Sequence, residues 1–204
     1  MIGHHTTQRA MQNFLQLATG VSVTPLLLAI ARLQKSHGVW KEDTYLRDYP
    51  QGPFAEIESI ILRFPPRTVC ETEEALRAHE ANFDQHENVD QPAFKALPEA
   101  RPLVFNLMAA VEGERLGRVI INKIAPGGRI FPHADTPAHA EYWDRFHVVL
   151  QSAPGCKFRC ADEEVHMPTG SVWWFNNRLE HEVVNNSAAD RIHMVVDIRT
   201  SKPC

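Results

Sequence analysis

The sequence has no run of basic residues, no apolar stretch of transmembrane length, no low-complexity segment and no internal repeat. Its 21 Lys and Arg stand against 25 Asp and Glu, a formal net charge of −4 at pH 7. Such a balance offers little attraction to a polyanion or an anionic membrane, and neither nucleic acid nor a membrane is expected as a partner. Cysteine is sparse: Cys70, Cys156, Cys160 and Cys204 form no double pair of the kind that holds structural zinc. A reduced, cytoplasmic chain is therefore expected. Residues 10–31 carry no formal charge and include Leu26-Leu27-Leu28, but Gln12, Asn13, Gln16, Ser22 and Pro25 break them up. A signal peptide or a membrane span needs a more continuous apolar core, so neither is expected. Gly-x-Ser-x-Gly, phosphate-loop and dinucleotide fingerprints are also missing, which leaves those enzyme classes without support.

What is present fits an ordinary globular chain of 204 residues, 44% hydrophobic and 23% charged. One domain, 1–204, is expected, with a helical, substrate-shaping region over 1–117 and a catalytic core over 118–204. Ala10, Met11, Phe14, Leu15, Leu17 and Ala18 recur at helical spacing and predict a helix from Thr6 to Ala18, stopped by Gly20. Thr24-Pro25 opens a second helix with Leu26 to Leu33 as its body and Gly38 as its end. Residues 41–54 read as loop, and Glu56 to Phe64 as a strand cut off by Pro65-Pro66. The acidic stretch 71–91 reads as part helix and part loop, and Pro102 to Glu112 as a buried helix. Trp40 to Arg47 and 84–98 are candidate lids.

After Gly117 the texture becomes short β-rich runs between turn residues. They are Val119–Ile124, Phe146–Leu150, Cys156–Cys160, Ser171–Phe175, His181–Val184 and Ile192–Ile198. The pattern predicts a mainly β chain with flanking helices, an α+β arrangement. Its core is expected to be a double-stranded β-helix or jelly roll of the cupin type, preceded by an N-terminal helical region.

The unusual count is 11 histidines. In Phe131-Pro132-His133-Ala134-Asp135, strand alternation turns His133 and Asp135 to one face. His181 follows 48 residues later in Glu180-His181-Glu182. Two histidines and one carboxylate that leave other positions open form the facial triad of non-haem Fe(II) oxygenases, whose vacant positions admit a co-substrate and dioxygen. Ten residues on stands Arg191, whose guanidinium is suited to clamping a carboxylate through two parallel hydrogen bonds. His139 reads as a loop histidine, His166 and His193 as half-buried sheet residues, and Trp173 and Trp174 as core and rim packing. Tyr142 and Trp143, close to the Asp135 loop, are the candidates for touching substrate.

These residues resemble the aspartyl/asparaginyl β-hydroxylase family of Fe(II)- and 2-oxoglutarate-dependent oxygenases. The resemblance covers about 85 residues, roughly 118 to 200, in four ordered blocks. Asn122 to His133 is similar to the segment leading into the first iron ligand, and Arg145-Phe146-His147 resembles an Arg-x-His strand. Gly155 to Glu163 resembles a stretch of the animal enzymes and is expected to be structural. Asn176 to Arg191 resembles the distal histidine and arginine block. The resemblance implies iron on His133 and His181, and the distal carboxylate of 2-oxoglutarate on Arg191. It sets Arg145 and His147 at the chelating end of the co-substrate, and puts Asn122 where the family often has a small hydroxyl residue. The animal enzymes have glycine where Asp135 stands; this chain keeps the carboxylate, as do bacterial relatives that hydroxylate free proline. A halogenase lacks that carboxylate, so hydroxylation is expected. The substrate is expected to be an amino acid, free or as a residue of a peptide or protein. A non-catalytic, cupin-like metal- or dicarboxylate-binding module and a zinc-dependent hydrolase stay open as rivals.

Overall fold

The computed structural model describes residues 12–49, 52–67, 70–82, 84 and 86–201. In chain order the N-terminal half carries β1 Phe14–Ala18, α1 Thr24–His37, α2 Tyr45–Asp48, β2 Ile57–Phe64, α3 Glu73–Asn82, β3 Val89–Asp90, α4 Pro92–Ala96 and α5 Ala100–Ala110. The rest comprises β4 Gly113–Ile124, β5 Arg129–His133, α6 Pro137–Ala140, β6 Asp144–Gln151, β7 Cys156–Cys160, β8 Glu163–Val165, β9 Val172–Phe175, β10 His181–Asn185 and β11 Arg191–Thr200. Among the described residues the strands form a seven-stranded sheet, β1-β9-β6-β11-β4-β2-β3, and a four-stranded sheet, β5-β10-β7-β8. All their pairings are antiparallel. The result is the expected jelly roll.

The larger sheet is buried on both faces, and that explains its nearly continuous apolar runs. Its outer face presents Leu62, Ile121, Val148, Met194 and Val196 to Leu26 and Ile30 of α1, Phe94 of α4 and Val104 of α5. Its inner face meets the smaller sheet across Ile57, Val149, Trp173 and Phe175 on one side and Ile130, Phe158, Val165 and Val183 on the other. Pro25 lies in the first turn of α1, and Gly38 ends the helix at φ 67 with its N–H donated to Gln34 O. That left-handed position suits glycine.

Three N-terminal expectations need correction. Phe14–Ala18 is a strand, not the end of a helix, while Thr6 to Met11 lie outside the described residues. A short apolar run fits either period, and here tertiary pairing decides. β1 pairs with β9, Phe14 packs edge-on to Phe158, and the Gln12 and Asn13 N–H groups donate to the Glu163 carboxylate. The boundary expected at 117 falls inside β4, because β1, β2 and β3 belong to the larger sheet. Helix α5 buries only the Ala100, Val104 and Leu107 stripe and leaves Phe105 half exposed.

No helix among the described residues is long and apolar enough to cross a membrane. Asn185, the last residue of β10, clips the end of β4 to the loop that leads from β10 to β11. Its side-chain amide donates to Ile124 O at 2.8 Å and Ala189 O at 2.9 Å. Beside it Gly155 holds φ 105, and a Cβ there would lie 2.9 Å from Asn186 O. Gly155→Ala is expected to lower stability by about 1–3 kcal/mol. Gly127→Ala, with a positive φ but nothing within 4 Å, should cost less. Urea midpoints of the two variants check the order.

Candidate metal centre and active-site cavity

His133 ends β5 and His181 begins β10, and the two residues face each other in the antiparallel register. Their rings lie 4.3 Å apart, centroid to centroid. Each Nδ1 lies against a backbone carbonyl two residues earlier, Phe131 O at 2.8 Å and Leu179 O at 2.9 Å. A carbonyl can only accept, so each Nδ1 carries the proton and each Nε2 keeps its lone pair for another partner. Asp135 follows His133 by two residues, and one ligand atom from each of the three side chains lies within 4.8 Å of the others. Burial lowers the pKa of His133, and burial together with the His133 charge lowers that of His181 to about 4. Both imidazoles are therefore neutral, the form that ligates a metal. This donor set fits a divalent cation with open positions.

The Asp135 carboxylate is held from two sides. Arg145 Nη1 lies 2.7 Å from its Oδ2, and Asn177 Nδ2 donates to the same oxygen at 3.0 Å. Burial opposes its ionisation, but Arg145, His139 and His181 together outweigh it and the carboxyl pKa falls. Arg145 also donates to Asp197 through Nε at 2.7 Å and Nη2 at 3.1 Å. His139 Nε2 closes the group, 3.0 Å from Asp197 Oδ2 and 2.9 Å from Arg145 Nη2. Burial raises the Asp197 pKa, yet Arg145 and His139 bring it well below the usual carboxylate range.

These groups border a cavity of about 440 Å³ between the two sheets, a size suited to small molecules. The smaller sheet brings His133 and His181, and the larger brings Arg191, His193, His147 and Asn122. Arg191 is buried and has no carboxylate partner among the described residues; its Nη2 donates to His193 Nδ1 at 3.1 Å. Burial lowers its pKa to about 9. His193 Nδ1, accepting from Arg191 and lying 3.3 Å from His147 Nδ1, leaves Nε2 as the N–H of its ring. That Nε2 is buried with no partner. Asn122 Oδ1 accepts from Ser59 Oγ at 2.8 Å, so β2 supplies the hydroxyl that β4 lacks.

The geometry separates the sequence candidates. His133, Asp135 and His181 converge, and Arg191, His147 and Asn122 line the same cavity. Arg145 reaches the wall, but its donors are committed to Asp135, Asp197 and His139, not left open for a co-substrate. Tyr142 and Trp143 do not line it: α6 turns the chain away, Trp143 is buried, and Tyr142 stacks on His86 at 3.9 Å. Of the candidate lids, Tyr45 and Leu46 border the cavity, while Phe94 and Leu97 of 84–98 sit in the outer core. His139 and His193 are not bland residues, since both are bonded within the site. Asp197 was missed, although a lone acid inside Ile192-His193-Met194-Val195-Val196-Asp197-Ile198 signals a buried partner. Arg118, the charged residue just before the apolar run of β4, was also missed and lines the cavity.

Fold and site together define a jelly-roll protein that carries a two-histidine, one-carboxylate set between its sheets. Residues 70–201 match the family described as aspartyl/asparaginyl beta-hydroxylase, and the chain belongs to that family. The match begins well before residue 118. The chain is 29% identical over 173 residues to an L-proline cis-4-hydroxylase of Rhizobium meliloti (strain 1021), covering 84% of this chain and 58% of that protein. It is 30% identical over 86 residues to the human aspartyl/asparaginyl beta-hydroxylase, covering 42% of this chain and 11% of that one. It thus spans little more than half of the first relative and a small part of the second. A solved prolyl-4-hydroxylase of Pseudomonas putida superposes over 95% of both chains with TM-score 0.48 and 16% identity.

Burial lowers the pKa of His147 and His193 well below that of a free imidazole, with the Arg191 charge adding to the effect. Unfolded, both would titrate near 6.5. Below that pH the unfolded chain binds protons that the folded chain refuses, so stability falls as pH drops. The urea midpoint is expected to decline from pH 7 to pH 5, at about 1.4 kcal/mol per histidine per pH unit below 6.5. A midpoint that holds steady would contradict the neutral assignment.

Proposed function

We propose that the protein is an Fe(II)- and 2-oxoglutarate-dependent dioxygenase that hydroxylates an amino acid, free or as a residue in a peptide or protein, and releases succinate and CO2. The observation that carries this reading is the pairing, across one cavity, of the His133, Asp135 and His181 set with the buried guanidinium of Arg191. A buried guanidinium without a counter-anion is costly, and a carboxylate arriving with a ligand relieves it. The family supports hydroxylase chemistry, and the name of the R. meliloti relative supports an amino-acid substrate.

In this reading His133, Asp135 and His181 hold the iron, which when bound supplies the dioxygen chemistry that side chains lack. The chain's own groups do the rest. Arg145 and Asn177 keep the Asp135 carboxylate ionised and aimed. Arg191 takes the distal carboxylate of 2-oxoglutarate, and His147 and Asn122 border the same ligand. Ile120, Val195, Phe158 and Phe175 line the walls and exclude water, so that the reacting carbon is held in a dry site.

The test is succinate release from 2-oxoglutarate with Fe(II), first without any prime substrate. A cupin-like binding module or a zinc hydrolase would bind metal and release none. Arg191→Met is expected to raise the KM for 2-oxoglutarate by about thirtyfold or more, the effect of removing one partner of a buried charge pair. An unchanged KM counts against the assignment. His133→Ala is expected to abolish Fe(II)-dependent turnover; an undiminished rate would sink the metal site.

A further inference from the structure

Arg118 lies on the cavity face of β4 in alternation with Ile120 and Asn122, and all three line the cavity. Its side chain is half-buried, and its guanidinium sits 5.1 Å over the Phe64 ring. No hydrogen bond or ion pair ties it to any described residue. Burial lowers its pKa, with the Asp197, Asp135 and Tyr45 charges opposing and Arg145 adding to the effect. The other two arginines of the cavity are accounted for: Arg145 by its two aspartates, and Arg191 by its place beside the unpartnered His193 Nε2. Three guanidiniums thus face two aspartates. A divalent metal and a dianionic co-substrate cancel each other, so one positive charge remains. Tyr45, Tyr49 and Phe64 border the same cavity.

We propose that Arg118 holds the carboxylate of the prime substrate, which makes the substrate a free amino acid with an unblocked carboxyl group, not an internal residue of a protein. The inference rests on the dioxygenase reading. A guanidinium binds a carboxylate through paired N–H donors and loses that pairing when the carboxyl is converted to an amide or a peptide bond.

The experiment compares the twenty free L-amino acids with their carboxamides as stimulators of succinate release by the full chain with Fe(II) and 2-oxoglutarate. The expected result is at least one acid preferred over its amide by about tenfold to a hundredfold in kcat/KM, the range for a charge-assisted hydrogen bond. Arg118→Gln is expected to bring that ratio close to one, and Arg118→Lys to leave it in between. The Lys variant keeps the test alive where the Gln variant fails to fold. A second arm needs no turnover: the apo protein's melting temperature is measured with each acid and its amide, and only the acid is expected to raise it. Release of succinate by the wild type without substrate tests the dioxygenase reading separately. Acids and amides that act equally, a peptide whose internal residue stimulates as well as the free acid, a ratio unchanged by Arg118→Gln, or a panel in which no acid acts would each overturn the proposal.

Discussion

The Arg145 guanidinium, set between Asp135 and Asp197, is the contact on which the site's geometry depends. Asp135 follows β5 of the smaller sheet, whereas Arg145 and Asp197 stand opposite each other on β6 and β11 of the larger. One buried cation thus ties the third arm of the ligand set to the other sheet. Its three nitrogens are matched by carboxylates and His139, so none of these charges is left alone in a low-dielectric interior. Removing any one would strand its partners, a penalty of about 3–5 kcal/mol for a buried pair. Because Arg145 is committed in this way, anionic ligands fall to Arg191 and Arg118.

The cavity exists because the larger sheet divides its side chains strictly by face. Residues 119, 121, 194, 196 and 198 turn outward onto the helices, and residues 118, 120, 122, 191, 193, 195 and 197 turn inward. Aromatic and aliphatic groups from both sheets fill part of the space between them. The remaining space receives the polar inward positions. Binding chemistry is therefore concentrated on β4, β6 and β11, which are held at the centre of the sheet by long ladders. A site mounted on central strands keeps its donors in place better than one carried by loops.

Much of this was readable in the chain. The runs that became β6, β7, β9, β10 and β11 are bounded by turn residues, and α1 is framed by Pro25 and Gly38. The His133-x-Asp135 pair is a local pattern, since alternation alone puts both on one face. The misses share one cause. Phe14–Ala18 satisfies helical spacing, and only its pairing with β9 makes it a strand. His139, His193 and Asp197 look unremarkable in sequence and acquire partners only across strands or turns. Tyr142 and Trp143 are near Asp135 along the chain, but α6 separates them from the cavity.

The sequence by itself determined the class of structure, the two-histidine, one-aspartate set and the presence of Arg191 beside it, because alternation, turn chemistry and residue type act over a few positions. Tertiary structure alone decided which arginines lack a carboxylate partner among the described residues. Arg118, Arg145 and Arg191 are chemically equal in the sequence. Their difference arises from tertiary packing, which among the described residues sets Asp197, across the β6–β11 ladder, and Asp135, from the loop after β5, against Arg145 and no aspartate in an ion pair with the other two. A charge in a protein interior is defined by what faces it, and those neighbours come from strands distant in the chain.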